Sequence, residues 1–128
     1  MKTNHKLSLA AFVGVLIGVA GGAIHGQQAK TPPGYVIAEV EVTDLATMQK
    51  YGEKVPETLA GFNYHYVVRG SKTQSLEGEP PKGIVVIAFE SVEKAREWYD
   101  SPAYAAIRPI RQRAAKSRIF IVEGLVPQ

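Results

Sequence analysis

IVVIAFESVEKAREWYD, residues 84–100, changes its hydrophobic period halfway along. Residues 84–90 are almost wholly apolar and mostly β-branched or aromatic, as in a central strand buried on both faces. Ser91 then offers a helix cap, and Val92, Ala95, Trp98 and Tyr99 recur at helical spacing, which turns them inward. A core strand passing straight into an amphipathic helix is the β-α step of a layered domain.

Upstream, YVIAEVEVT (35–43) alternates, with Val36, Ala38, Val40 and Val42 on one face and Tyr35, Ile37, Glu39 and Glu41 on the other. Asp44 caps the next helix, in which Leu45, Met48, Val55 and Leu59 recur near helical spacing. Pro56 is expected to kink or restart that helix and Gly61 to end it. FNYHYVVRG (62–70) reads as a second strand, SKTQSLEGEPPKG (71–83) as a long polar loop, and RIFIVEGLV (118–126) as a fourth strand. The order is β-α-β-β-α-β. The two helices also echo each other, since Thr43 to Tyr51 and Ser91 to Tyr99 each open on a hydroxyl residue and close on tyrosine. Order and echo together predict an α+β, ferredoxin-like domain over 35–126, with a four-stranded antiparallel sheet and helices on one face. The strands carry apolar or aromatic residues on both faces, and a domain of roughly 100 residues has little core to spare. A homodimer packed sheet on sheet is therefore expected.

The first residues read differently. MKTNHK supplies Lys2 and Lys6, and LSLAAFVGVLIGVAGGAI (7–24) is apolar and small throughout. This is the pattern of a secretory signal peptide, with cleavage expected after Gly26. Residues 27–34, QQAKTPPG, then form a linker. The alternative is an uncleaved anchor, because about 18 apolar residues can just span a bilayer. Glycines at 14, 18, 21 and 22 and the absence of a basic stop-transfer flank favour cleavage. The expected location is periplasmic or secreted, with membrane contact only through an uncleaved leader. The chain has no cysteine, which excludes disulfides, thiolate metal sites and a thiol nucleophile. Without residues 1–26 the 15 lysines and arginines fall to 13 against 12 acids, a net charge near +1. So balanced a domain gives no drive toward nucleic acid. Arg108, Arg111, Arg113, Lys116 and Arg118 nevertheless make a local basic patch.

RG at 69–70, LEG at 76–78, IAFES at 87–91, AxxWYDSPAY at 95–104, IRPIRQRAA at 107–115 and VEG at 122–124 together resemble the "domain of unknown function 1330" family, over roughly residues 35–124. The resemblance implies a ferredoxin-like protomer within the dimeric α/β-barrel superfamily, which includes cofactor-free monooxygenases, lactone isomerases and haem-binding enzymes. The stretch GFNYHY at 61–66 departs from the family pattern, in which a paired glycine and a basic residue precede the tyrosine.

Several residues are candidates for chemistry. Arg69 closes the second strand and Glu77 lies in the loop beyond, both at positions that match the family motifs. They are read either as a carboxylate anchor with a base, or as an ion pair that orders the loop. Ser101 and Pro102 form a helix start. Tyr104, Arg108 and Arg111 follow at spacings of four and three and share a helical face. A tyrosine hydroxyl and a guanidinium on one side can orient a carboxylate or enolate oxygen. In this reading Pro109 opens a second short helix, and Arg113 is solvated. His65 is the only histidine outside the leader and is poised for proton transfer near neutral pH. By strand parity it shares a face with Asn63, Val67 and Arg69. It is a general base if that face lines the cavity, and a spacer otherwise. One histidine and scattered carboxylates make no metal set, and no nucleotide or phosphate fingerprint is present, so neither metal nor cofactor is expected. Two functions remain. One is a cofactor-free enzyme acting on a small organic acid or aromatic compound, with Tyr104 or His65 moving protons. The other is a non-catalytic homodimer that binds a small ligand or a protein.

Overall fold

The computed structural model describes residues 30–128. The leader expected at 1–26 and residues 27–29 of the expected 27–34 linker lie outside the described residues. The elements are β1 (Gly34–Val42), α1 (Leu45–Leu59), β2 (Tyr64–Gly70), β3 (Ile84–Phe89), α2 (Val92–Asp100), α3 (Pro102–Ala114) and β4 (Ala115–Glu123). The strands form one antiparallel sheet in the order β2-β3-β1-β4. This is the ferredoxin-like arrangement expected from the sequence.

The helix starts follow local chemistry. Asp44 accepts from the Thr47 amide at 3.1 Å and from its hydroxyl at 2.7 Å, and Ser91 accepts from the Lys94 amide at 3.1 Å. Gly61, at φ +85°, turns the chain out of α1, a conformation that favours glycine. Gly34 belongs to β1 rather than to the linker. The start of α2 packs so closely on it that a Cβ there would lie 2.6 Å from the Ser91 carbonyl oxygen.

One expectation about proline is corrected: Pro109 lies inside α3 without opening a further helix. Of the two outcomes expected at Pro56, a restart does not occur, and α1 runs through it. Both prolines are exposed, as are Gly52 and Ala105, the residues four earlier whose carbonyls lose their helical donor. Water can therefore take the place of the missing bond. The fourth strand also begins earlier than its apolar run suggests. Residues 115–117 pair with β1, Ser117 opposite Val40.

Cross-strand register sorts the side chains into two faces. Toward the helices lie two rows across the sheet, Tyr66, Ile87, Val36 and Ile121, and Arg69, Val85, Ala38 and Ile119. The core forms between this face and the helices, from Val36, Ile87, Phe89, Val55, Leu59, Ala95, Trp98, Tyr104 and Ile107. Trp98 is its centre. It stacks on Phe89 at 5.6 Å between ring centroids, lies 4.2 Å from Tyr104, and donates its indole N–H to the Thr58 hydroxyl at 3.0 Å. Thr58 in turn donates to the Val55 carbonyl at 2.7 Å, so this buried polar chain is closed.

The opposite face carries the rows Val68, Val86, Ile37 and Phe120, and His65, Ala88, Tyr35 and Val122. Phe120 and Val122 are 39% and 43% exposed, so this face is apolar and uncovered in the single chain.

The rows on β2 do not follow simple alternation. The register slips between Tyr66 and Val68, leaving Val67 as a bulge. Parity alone puts Arg69 with His65. The bulge absorbs one residue and carries Arg69 to the face of Tyr66, while His65 stays on the outer face opposite Ala88.

Candidate functional site

A cavity of about 230 Å³ lies between the inner sheet face and the helices. Val36, Ala38, Val85, Ile87 and Ile119 form its apolar floor, and α1 adds Met48, Tyr51 and Val55. The polar side chains that line it are few: Tyr51, Tyr66, Arg69 and Arg111, with Trp98, whose indole N–H is held by Thr58. The volume exceeds the ~150 Å³ at which an apolar cavity already takes benzene. It therefore has room for one aromatic ring with substituents.

Arg111 is the most unusual of these groups. It sits on the last turn of α3 and is only 4% exposed. Its Nε donates to the Tyr104 hydroxyl at 3.3 Å and its Nη1 donates to the Ser117 hydroxyl on β4. Among the described residues no carboxylate pairs with it. Burial works against its charge, while Tyr104, Tyr51 and Tyr99 act together in the other direction and leave the guanidinium above its ordinary pKa. A buried cation without a counter-ion is costly, and a bound anion would relieve that cost.

Tyr104 is fully buried and does not line the cavity. Its hydroxyl lies 2.7 Å from that of Tyr51, which does. Burial pushes the Tyr51 phenol far above its usual range, and Tyr104 adds to the effect. Tyr51 is therefore protonated at any neutral pH, a hydrogen-bond donor rather than a base. Arg69, exposed at the cavity mouth, holds its guanidinium 4.5 Å above the Tyr66 ring.

The other sequence candidates lie apart. His65 is exposed on the outer face and does not reach the cavity, so the geometry withdraws its general-base role there. Glu77 is exposed in the loop before β3 and forms no ion pair with Arg69. Arg108 shares the helix with Arg111 but turns to Tyr99, stacking 4.2 Å above its ring and donating to its carbonyl oxygen. Ser101 is a cap. It accepts from the Tyr104 amide at 3.2 Å and donates to the Trp98 carbonyl at 2.7 Å. Ser101→Ala should cost about 1 kcal/mol in a chemical melt and leave ligand affinity unchanged. A lost affinity with unchanged stability would return Ser101 to the site.

Sequence reading missed Tyr51 and Ser117 as site residues. The helix echo carried a signal for the first. Tyr51 and Tyr99 close the two matched intervals, and their rings flank Tyr104 at 6.3 and 5.5 Å. Ser117 carries none, because it lies just ahead of the apolar run 118–126 and has no periodic neighbours of its own.

Among the described residues no group of three or more His, Asp or Glu side chains is placed to hold a metal ion. No helix among them is long and apolar enough to cross a membrane.

Fold and cavity define a class: a ferredoxin-like α+β domain with an arginine-bearing pocket between sheet and helices. Residues 33–125 match the model of a family described as "Domain of unknown function (DUF1330)", and the chain belongs to that family. No curated protein gives a significant sequence match. Among solved structures the fold is similar to that of a protein of unknown function from Rhodopseudomonas palustris, with 18% identity, TM-score 0.62, and coverage of 84% of this chain and 94% of that one. It is also similar to a dimeric ferredoxin-like protein of unknown function from Thermobifida fusca, with 15% identity, TM-score 0.52, and coverage of 73% and 92%. A third is SnoaB, a cofactor-independent oxygenase from Streptomyces nogalater, with 13% identity, TM-score 0.50, and coverage of 72% and 92%. At these identities the likeness is one of fold.

Proposed function

We propose that this protein binds a small organic anion with a compact apolar or aromatic body, held in the cavity by Arg111 and, at its mouth, Arg69. The observation that carries this reading is the burial of Arg111, without a carboxylate partner among the described residues, on the wall of a largely apolar cavity. A thermal-shift series tests it. Benzoate and other aryl carboxylates should raise the melting temperature, by mass action, at millimolar concentration. The amides of the same acids should not. Equal shifts from acid and amide would sink the role of Arg111.

A second reading is turnover of such a compound without a cofactor. The grouping of Tyr51 with Arg111 favours it, because donors fixed in an apolar site stabilise developing negative charge on oxygen. Its test is mass analysis of ligand recovered after aerobic incubation, and unchanged ligand across an aryl-acid panel would leave the binding role alone.

The working state proposed is an exported homodimer. The uncovered row Val68, Val86, Ile37 and Phe120 supports the dimer, since apolar sheet faces are normally covered. A monomer in sedimentation at micromolar concentration would contradict it. Export rests on the pattern of residues 1–26, and a mature chain from a periplasmic fraction should begin at Gln27.

A further inference from the structure

The hydrogen bonds at the cavity wall have a direction. Arg111 has no acceptor, so at the 3.3 Å contact its Nε donates and the Tyr104 oxygen accepts. Tyr104 is fully buried, and its one proton needs an acceptor. The Tyr51 oxygen, 2.7 Å away, is the acceptor that the described residues provide. If Tyr51 donated instead, the Tyr104 proton would be left unpaired in the core. Tyr104 therefore donates to Tyr51, and the proton of Tyr51, which lines the cavity, is left for whatever the cavity holds. The Arg111 Nη1 bond to Ser117 fixes the guanidinium from the other side.

We propose that Arg111 acts through Tyr104 to make Tyr51 a one-way donor, so that the cavity selects an oxyanion, whether carboxylate, phenolate or enolate, and binds ionisable ligands in their deprotonated form. The proposal rests on the binding reading above and adds to it the polarity of the site. Tyr51 is the specificity-determining residue and Tyr104 a positioning residue. Each bond in the relay polarises the next, so the donor at its end is stronger than an isolated phenol. A ligand of the same shape that presents an N–H donor meets the Tyr51 proton head-on and is rejected.

The probe is 4-nitrophenol, a single ring that titrates near neutral pH with a visible absorbance change. With excess full-length protein, its ionisation should move to lower pH, and it should bind as the yellow phenolate. 4-Nitroaniline, of matching shape, should bind at least about tenfold more weakly. In Tyr51→Phe the phenolate should bind about tenfold to a hundredfold more weakly, and the ionisation should return toward its value in free solution. Tyr104→Phe keeps the ring and breaks the relay, so the ionisation shift should shrink there too, while benzoate, held on Arg111, is still bound. If benzoate binds the unaltered protein but the nitrophenol titration coincides in unaltered and Tyr51→Phe protein, the relay is overturned and the anion site stands. If neither benzoate nor nitrophenol binds, the binding reading falls and the relay falls with it.

Discussion

Arg111→Met is expected to abolish anion binding while leaving the protein as stable as before, or more so. The two effects separate because the guanidinium is buried without a counter-ion. In the empty protein its charge has lost water and gained only two neutral hydroxyl partners, Tyr104 and Ser117. Replacing buried ionic groups with apolar side chains of similar volume is often neutral or stabilising by about 1–4 kcal/mol. Methionine is long, flexible and apolar, and suits that space. For a bound carboxylate the balance reverses. Removing one member of a buried, hydrogen-bonded charge pair costs about 2–5 kcal/mol, which is roughly thirtyfold to several thousandfold in affinity. Calorimetric titration with benzoate and a thermal melt of the same variant check both halves. A melting temperature lowered by many degrees would mean that the guanidinium is structural, a strut between α3 and β4. Arg111→Lys is not a conservative control, because one ammonium group cannot reproduce the planar fork that meets Tyr104 and Ser117 together.

Trp98→Ala is expected to show the largest loss of stability. The indole is 2% exposed, packs on Phe89 and Tyr104, and donates to Thr58. Large-to-small substitution of a buried aromatic costs about 3–5 kcal/mol. Domains of this size are stable by only about 5–15 kcal/mol in total. At about 4–8 °C per kcal/mol, the melting temperature should fall by roughly 12–40 °C. The variant also enlarges the cavity, because Trp98 lines it. Part of the loss should then be recovered by a bulkier aryl carboxylate that fills the space. A fall of only a few degrees would show that the region collapses around the missing ring.

The succession of strands and helices along the chain and the helix start at Ser101 were legible in the sequence because each depends on neighbours a few residues apart. Alternation marks β1 and helical spacing marks α2. A hydroxyl followed by proline marks the start of α3, and the structure adds only that Ser101 bonds the Trp98 carbonyl and the Tyr104 amide. Pairing Tyr104 with Arg111 also needed only helical spacing, and the two do hydrogen-bond. The prolines misled because a helix interrupter is judged by its local cost. At Pro56 and Pro109 that cost is small, since both sit on exposed turns.

The site as a whole was not legible in this way. Tyr51 meets Tyr104 across 53 residues of chain, through the packing of α1 on α3. Arg69 reaches the cavity only because Val67 bulges out of β2. A chain read by parity sends Arg69 outward with His65, and the structure divides them. The amino-acid sequence by itself determined the β-α-β-β-α-β framework, to which α3 adds a further helix before β4, the inner and outer faces of β1, and the helix caps, since these follow from periodicity and short-range hydrogen bonding. Only the tertiary structure decided which polar groups share the cavity. Side-chain period records the face a residue takes in an unbroken strand, whereas a one-residue slip in pairing is set by how that strand fits its neighbour.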